Sequence, residues 1–263
     1  MQDLEVLNES KIQNLKSKIG AIPIPQSQLR ILLWDIDGTL LQSGIKGSFK
    51  EYFAHALEKV YGTSGNIAEV NAAGSTDSQI ILKALESEGF TVTDVFSKLD
   101  EFTKVLLEEM NLYIQQNENV YEILPGVREV LETTSQNPRL LNSLLTGNLA
   151  VGAESKLRYI DLWHYFQNLP HAYGDISHDR RELGKVAEKM INDFLGIELN
   201  PKQFIVIGDT KHDIAAARAF GAKVIAVGTG RGVDFDELRA QNPDAFIDDL
   251  TDSAKFFSVL ESL

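Results

Sequence analysis

The sequence feature that most constrains this chain is a pair of aspartates, Asp35 and Asp37, directly after the apolar run 31–34. The run predicts a buried strand, and side chains two residues apart on an extended chain point to the same side. The two carboxylates should therefore share a small volume, where each disfavours ionisation of the other unless they share a cation. A structural protein has little use for this arrangement, whereas an enzyme that acts on phosphate with a divalent metal ion has a good one.

The composition indicates a globular protein of one large domain or two smaller ones. The chain has 263 residues, of which 43% are hydrophobic and 24% charged. It contains no cysteine, which excludes disulfides, thiolate metal sites and a cysteine nucleophile.

Charge and hydropathy limit the expected partners and location. The net charge of −13 argues against a nucleic-acid partner, because binding to phosphate backbones needs basic patches. No run approaches the roughly 18 consecutive apolar residues of a membrane span, and residues 1–5 do not resemble a secretory signal. We therefore expect a cytoplasmic protein with no membrane partner.

The pattern along the chain changes near residue 124. Between residues 43 and 123 the apolar residues follow a helical spacing and no strand is predicted. After it, short apolar runs alternate with helical patterns, which is typical of βα units on a parallel sheet. We predict an α/β fold, in which 29–42 and 124–263 form a doubly wound parallel-sheet (Rossmann-like) core and 43–123 an inserted all-α cap. Residues 1–28 are predicted to be an N-terminal extension.

Individual elements follow from the same patterns. Ser48 and Glu51 predict a capping box at the start of the first cap helix, and Gly62 predicts its end. The other predicted helices are 77–88, 95–115, 150–160, 183–195 and 213–220. The other predicted strands are 140–145, 169–173, 204–207, 223–227 and 245–247.

Three predicted strands end in polar or glycine-containing segments, namely 35–39, 146–148 and 208–213. The carboxyl ends of parallel strands lie at one edge of the sheet, where ligands bind, beside helix N-termini that favour anions. Four carboxylates, a hydroxyl group and backbone donors are therefore expected to meet in one site.

In this order, the three segments Asp-Ile-Asp-Gly-Thr, Thr-Gly-Asn and Gly-Asp-Thr-Lys-His-Asp resemble the motifs of the haloacid dehalogenase-like hydrolases. The closest resemblance is to their phosphatase branch, which is similar to phosphoglycolate phosphatase. It spans about residues 29–250, and the helical insertion matches the family's cap domain. The resemblance implies a Mg²⁺-dependent phosphatase that hydrolyses a small phosphorylated metabolite through an aspartyl-phosphate. It identifies neither the substrate nor the oligomeric state.

The resemblance also implies a role for each matching residue. Asp35 would be the nucleophile, and Asp37 the general acid–base. The family's dehalogenases lack the second aspartate, since halide leaves without a proton, so Asp37 favours phosphate esters. Thr146 would bind a phosphoryl oxygen beside the backbone N–H groups of Gly147 and Asn148.

The metal site implied by the resemblance centres on Asp209. With the Asp35 side chain and the Asp37 backbone carbonyl, Asp209 would hold Mg²⁺, which prefers oxygen ligands. The metal would offset the repulsion between Asp35 and the incoming phosphate. Asp213 either supports this metal site or forms a capping box with Thr210, and the two roles are compatible.

The family's third motif, a lysine that neutralises the nucleophile and the phosphate, is irregular in this chain. Many relatives have Lys-Pro there, whereas this chain has Arg-Arg-Glu-Leu-Gly-Lys at 180–185. A cation is needed because four carboxylates and a dianion exceed the charge of one Mg²⁺. Lys185 is the first candidate, with Arg180 and Arg181 as alternatives.

Other interpretations remain open from the sequence. The cap segment 73–77 either faces the site and contacts the leaving group, or caps a helix at Ser75 or Asp77. A phosphosugar mutase would return the phosphoryl group from Asp35 to its substrate, and a phosphonatase would need a Schiff-base lysine in the cap. A non-catalytic, phosphometabolite-binding member is supported only by the irregular third motif.

Overall fold

Five parallel strands form the centre of the computed structural model, which describes residues 25–263. In chain order the strands are β1 (Arg30–Trp34), β2 (Leu41–Ser43), β3 (Tyr121–Ile123), β4 (Leu140–Leu144), β5 (Phe204–Gly208), β6 (Lys223–Val227) and β7 (Ala245–Ile247). The sheet order is β4-β1-β5-β6-β7. Most of the predicted extension 1–28 lies outside the described residues, and 25–28 contribute only the 3₁₀ turn Gln26–Gln28.

Helices cover both faces of this sheet. The ten α-helices of residues 25–263 are α1 (Ser48–Tyr61), α2 (Asp77–Leu85), α3 (Val92–Ser97), α4 (Leu99–Gln116), α5 (Val127–Gln136), α6 (Ala150–Tyr159), α7 (Arg180–Leu195), α8 (Lys211–Phe220), α9 (Phe235–Ala240) and α10 (Ser253–Ser262). Leu32 and Trp34 of β1 pack with α5, α6 and α10 on one face. Ile31 and Leu33 pack with α7 and α8 on the other. Because successive side chains of a strand point to opposite faces, β1 serves two cores, and the predicted doubly wound sheet is confirmed.

The insertion between β2 and β3 contains α1 to α4. In it, α1 packs on α4 through aromatic side chains, with the Phe53 and Phe102 rings 5.5 Å apart and edge-to-face. Both rings are buried, and truncation of such a residue to alanine costs about 3–5 kcal/mol of stability. The helical content predicted for this block is therefore present, held by its own apolar contacts.

The edges of this block differ from the prediction. Ser43 and Tyr121–Ile123 lie in the antiparallel β2–β3 pair, which joins the insertion to the core. Three-residue strands are too short to show a period in sequence, so the prediction of no strand in 43–123 was wrong at both ends. The domain boundaries at 42/43 and 123/124 stay a prediction.

Helix ends agree with the sequence where glycine determines them. Gly62 ends α1 in a left-handed conformation (φ 80°), and its N–H bonds to the Glu58 carbonyl, as predicted. The capping box of Ser48 and Glu51 is wrong, because the helix already includes Ser48, whose hydroxyl lies 2.7 Å from that of Ser43. The predicted helix 95–115 is two helices, α3 and α4. Within residues 25–263, no helix is long and apolar enough to cross a membrane.

Beside the edge strand β4, the predicted strand 169–173 is reduced to a single bridge between Leu145 and Ala172. His171 lies here, and its Nδ1 accepts a hydrogen bond from the Leu144 N–H at 3.3 Å. Burial lowers the pKa of His171 from 6.5 to about 4. Between about pH 6.5 and pH 4, the ring is therefore mostly neutral in the folded protein, whereas it becomes protonated in the unfolded chain.

This predicts a loss of stability in acid that depends on His171. Its pKa is lower in the folded than in the unfolded state, so the stability it confers is present above pH 6.5 and is lost as the pH falls towards 4. In His171→Asn, whose Oδ1 can accept the same hydrogen bond, this titration is absent. Between about pH 7 and pH 5, the free energy of unfolding measured in urea should fall by about 2 kcal/mol more for wild type than for the variant. Equal losses would contradict the assignment.

Candidate active site

The carboxyl ends of the central strands bring the predicted acidic residues together. Trp34 lies level with Leu144 of β4 and Ile207 of β5, so the segments that follow these strands begin at one edge. Carboxylate oxygens of Asp35, Asp209 and Asp213 lie within 4.8 Å of one another, and all three residues are buried. The Asp37 side chain is not one of the three in this cluster; it is half exposed and pairs with Lys156.

The donor set of this cluster fits a divalent metal ion. Carboxylate oxygens are hard ligands of the kind that Mg²⁺ and similar cations prefer. The Asp209 carboxylate lies between Gly38 and Gly230, where a Cβ atom would come within 2.3 and 2.0 Å of its Oδ2. The Thr39 hydroxyl donates to Asp209 Oδ1 at 3.1 Å. The two glycines thus allow the loops to pack directly against this carboxylate, and the three buried carboxylates together supply the oxygen donors that a divalent cation needs.

Arg180 is the cation that enters this cluster. Its Nη2 forms an ion pair with Asp35 Oδ1 at 2.9 Å and donates a hydrogen bond to Asp213 Oδ1. Burial opposes the charge on the guanidinium, but Asp213 and Asp35 more than compensate and raise the pKa of Arg180. The Arg180 Nε atom is buried without a protein partner among residues 25–263. It is therefore a buried donor that no protein group in that range satisfies.

The other two candidate cations of the third motif do not reach the cluster. Lys185 is exposed, and Arg181 is exposed and pairs with Asp179. Arg180 is the first residue of α7, at the end that meets the sheet edge. Lys185 lies five residues on, about 7.5 Å further along the axis and on another face of the helix.

Burial perturbs the protonation of the acidic cluster. It raises the pKa of Asp35 to about 7, although the nearby Arg180 lowers it. Burial, together with Asp213 and Asp35, also raises the pKa of Asp209. Asp213 accepts from the backbone N–H and hydroxyl of Thr210, so it forms the predicted capping box and also contacts Arg180. The cluster carries more negative charge than one guanidinium can balance.

A second, smaller network joins Asp37 to the segment after β4. The buried Thr146 hydroxyl accepts from the Asn148 backbone N–H at 3.3 Å and from Asn148 Nδ2 at 2.9 Å, so its own hydrogen is available to a ligand. Asn148 Nδ2 also donates to Asp37 Oδ2 at 2.8 Å. Lys156 Nζ donates to Asp37 Oδ2 at 2.7 Å and to Asn148 Oδ1 at 2.6 Å.

Lys156 was not identified from the sequence. One signal was available: Lys156 follows Ala153 by three residues and precedes Ile160 by four, which places it on the apolar stripe of α6. A charged residue on a buried stripe needs a partner. That partner, Asp37, is 119 residues away in sequence.

The start of α2 in the cap is bonded to these core segments. Thr76, and neither Ser75 nor Asp77, is the N-cap of α2 and accepts from the Gln79 N–H. Asp77 instead contacts the core: its N–H donates to the Gly147 carbonyl at 2.7 Å, and its Oδ2 accepts from the Leu149 N–H at 2.8 Å. Burial raises the pKa of Asp77 to about 7.

Further contacts extend this seam between cap and core. The Thr76 hydroxyl donates to the His178 carbonyl and the Ser78 hydroxyl to the Gly174 carbonyl. Arg180 Nη1 donates to the Gly74 carbonyl at 3.4 Å. An open cavity of about 1130 Å³ lies between cap and core, and the catalytic candidates Asp35 and Asp37 are among its lining residues. The cap side chains that line it include Phe49, Tyr52, Phe53, Ile80 and Met110.

Comparisons with known proteins agree with this geometry. The sequence model of the haloacid dehalogenase-like hydrolases matches residues 32–227. The phosphoglycolate phosphatase of Mannheimia succiniciproducens is 26% identical over 245 residues, which cover 87% of this chain and 98% of that protein. The crystal structure of a predicted phosphoglycolate phosphatase from Haemophilus somnus has a TM-score of 0.59 at 22% identity, covering 89% of this chain and 100% of that one. A predicted β-phosphoglucomutase from Thermotoga maritima has a TM-score of 0.54 at 19% identity, with the same coverage.

The family model covers well over half of the chain, from β1 to the end of β6. The protein therefore belongs to the haloacid dehalogenase-like hydrolases. The two structural likenesses support the same fold, a parallel-sheet α/β core with a cap.

The close approach of cap and core predicts an effect of a methyl group at Gly147. A Cβ there would lie 2.4 Å from the Ser75 carbonyl oxygen, whereas a Cβ at Gly152 would meet only Met110 Sδ at 3.7 Å. Gly147→Ala should move the cap and lower kcat/KM by roughly 10²-fold. Gly152→Ala, in α6, should keep kcat/KM and raise the free energy of unfolding by up to about 1 kcal/mol. Unchanged kinetics in Gly147→Ala would mean that catalysis does not need this contact.

The position of Arg180 predicts which residue of the third motif matters. Arg180→Met removes donors from Asp35 and should lower kcat by about 10² or more, with a loss of stability of about 3–5 kcal/mol from the unpaired carboxylates. Lys185→Met is the matched control and should behave as wild type. Arg180→Lys keeps the positive charge but not the geometry of the guanidinium group. Its stability and kcat therefore distinguish a defect in folding from a defect in charge or geometry. A defect in Lys185→Met with normal Arg180→Met kinetics would reverse the assignment.

Proposed function

We propose that this protein is a phosphatase that hydrolyses a small-metabolite phosphomonoester through an aspartyl-phosphate on Asp35. The observation that carries the proposal is the different surroundings of the two aspartates. Asp35 is buried in the metal-type cluster beside Arg180, whereas Asp37 is half exposed and held by Lys156. The buried Asp35 is thus suited to attack phosphorus. The half-exposed Asp37 is suited to exchange protons with the leaving group and with water.

The first half-reaction transfers the phosphoryl group to the protein. A carboxylate oxygen of Asp35 forms a bond to phosphorus as the bond from phosphorus to the leaving oxygen breaks. Asp37 gives a proton to that oxygen, so the product alcohol leaves neutral. In the second half-reaction, water attacks phosphorus, Asp37 takes a proton from it, and Asp35 is released with inorganic phosphate.

The remaining groups bind and orient the phosphoryl oxygens. Arg180 keeps one oxygen of Asp35 in place and has an unpartnered Nε donor. The Thr146 hydroxyl hydrogen is used by neither of the two bonds that this hydroxyl accepts from Asn148. The Gly147 N–H is next to it in sequence, whereas the Asn148 N–H would have to leave Thr146 to bind a phosphoryl oxygen. These donors fit the charge distribution of a phosphoryl group in transfer.

Mg²⁺ is the metal we propose for the carboxylate cluster. Asp35, Asp209 and the Asp37 backbone carbonyl would hold it, and Asp213 would orient Arg180 beside it. When bound, it neutralises charge on the phosphoryl oxygens and on the nucleophile.

The substrate we propose is phosphoglycolate-like or a sugar phosphate. Sequence relatives of this chain are named phosphoglycolate phosphatases. The cavity of about 1130 Å³ is slightly above the usual range of about 300–1,000 Å³ for small-molecule sites, so it has room for sugar phosphates as well as for smaller esters. The mutase alternative uses the same residues and differs in whether phosphate is released to water.

The test is phosphate release from a panel that includes phosphoglycolate and sugar phosphates, with Mg²⁺ and with chelator. We expect turnover that chelator abolishes and Mg²⁺ restores. Asp35→Asn should abolish it, since an amide cannot form the aspartyl-phosphate. Asp193→Asn, at an exposed position on α7, is the control and should have no effect.

Three outcomes would contradict the proposal. Turnover that persists in chelator would exclude the metal, and activity in Asp35→Asn would exclude the nucleophile. Interconversion of sugar phosphates without release of phosphate would favour the mutase.

A further inference from the structure

A second buried cation, Lys156, has no part in the reaction as proposed above. It lies on α6 with its side chain 9% exposed, and two of its hydrogens go to Asp37 Oδ2 and Asn148 Oδ1. Taking an ammonium group out of water is costly unless it is paired. Both partners, Asp37 and Asn148, belong to the candidate active site, so the charge of Lys156 acts on groups of that site.

The hydrogen bonds around Asp37 are not symmetric. Lys156 Nζ and Asn148 Nδ2 donate to the same oxygen, Oδ2, at 2.7 and 2.8 Å. Within residues 25–263, Asp37 Oδ1 has no hydrogen bond. Asn148 is itself oriented by Lys156 on its oxygen and by Thr146 on its nitrogen. The network therefore distinguishes the two oxygens of one carboxylate.

Lys156 is also prevented from turning away. Its Nζ lies 5.9 Å from the centre of the Tyr121 ring, which attracts a cation through its face. The Tyr121 hydroxyl is 3.3 Å from that of Tyr52 in the cap, so the ring is held in turn. Asp37, by contrast, has a side chain that is 46% exposed and would be free to rotate without its partners.

We infer that Lys156 is a positioning residue that, with Asn148, orients Asp37 for proton transfer. By occupying Oδ2, it leaves Oδ1 as the oxygen that gives a proton to the leaving oxygen as the bond to phosphorus breaks. The same oxygen takes a proton from the attacking water in the second half-reaction. This inference rests on the proposed function, because it assigns the proton transfer to Asp37.

The leaving group provides a test that distinguishes positioning from folding. An alkyl phosphate such as glycerol phosphate needs a proton on its leaving oxygen, whereas p-nitrophenyl phosphate releases a stable anion. kcat/KM reports only the steps up to the first departure of the leaving group. Lys156→Met should lower kcat/KM by roughly 10²-fold for the alkyl ester and leave that for p-nitrophenyl phosphate nearly unchanged.

Two further variants identify the route of the effect. Lys156→Arg keeps a charged donor and should restore part of the lost rate. In an Asp37→Asn background, Lys156→Met should cause no further loss, because residues that act as a unit are not additive. Lys189→Met, on the exposed face of α7, is the control and should match wild type with both esters.

Equal losses with both esters, or a further loss in the Asp37→Asn background, would overturn the inference while the proposed function stood. Crystal structures of wild type and Lys156→Met provide a readout that needs no turnover. We expect the Asp37 carboxylate to leave Asn148 Nδ2 in the variant. An unchanged Asp37 would overturn the inference. Wild-type protein inactive on every ester would instead contradict the proposed function, and the crystal structures would still decide the role of Lys156.

Discussion

The rest of this structure depends on the ion-pair cluster in which Arg180 meets Asp35 and Asp213 at the carboxyl edge of the sheet. Burying several carboxylates together is unfavourable unless cations compensate. One guanidinium compensates only in part, and burial still raises the pKa of Asp35 and of Asp209. The remaining negative charge makes this edge suited to a metal ion. The uncompensated charge lowers the stability of the folded protein, and it leaves a site that can bind a cation and, with it, a phosphate.

The seam between cap and core determines what reaches this edge. The start of α2 bonds to the segment after β4 and, through Gly74, to Arg180. The position of the cap and the conformation of the segment after β4 are therefore fixed by the same contacts. Gly147 is needed because the cap backbone approaches it too closely for a side chain. Lys156 and Asn148 line the same cavity as Asp35 and Arg180, so the groups of the proposed proton transfer and of the proposed phosphoryl transfer face one volume.

Much of this arrangement could be predicted from the sequence because it is local. The pair Asp35 and Asp37 after a strand, and glycines such as Gly62 at helix ends, depend on a few neighbouring residues. The β2–β3 pair could not be predicted, since three residues show no period and their partners are 80 residues away. The cation of the third motif stayed ambiguous for another reason. The three candidates lie within six residues of one another, at Arg180, Arg181 and Lys185. Only the position and rotation of α7 bring one of them to Asp35.

The sequence by itself determined the five strands of the parallel sheet, the helical character of the insertion and the carboxylates that end at one sheet edge. These follow from apolar periodicity and from the geometry of parallel strands. Only the tertiary structure decided that Arg180 pairs with Asp35 and Asp213, that Asp77 bonds across the seam between cap and core, and that Lys156 holds one oxygen of Asp37. Each of these is a contact between groups far apart in sequence. Such a contact forms only when the fold brings the two groups to about 3 Å, and no local sequence pattern encodes that distance.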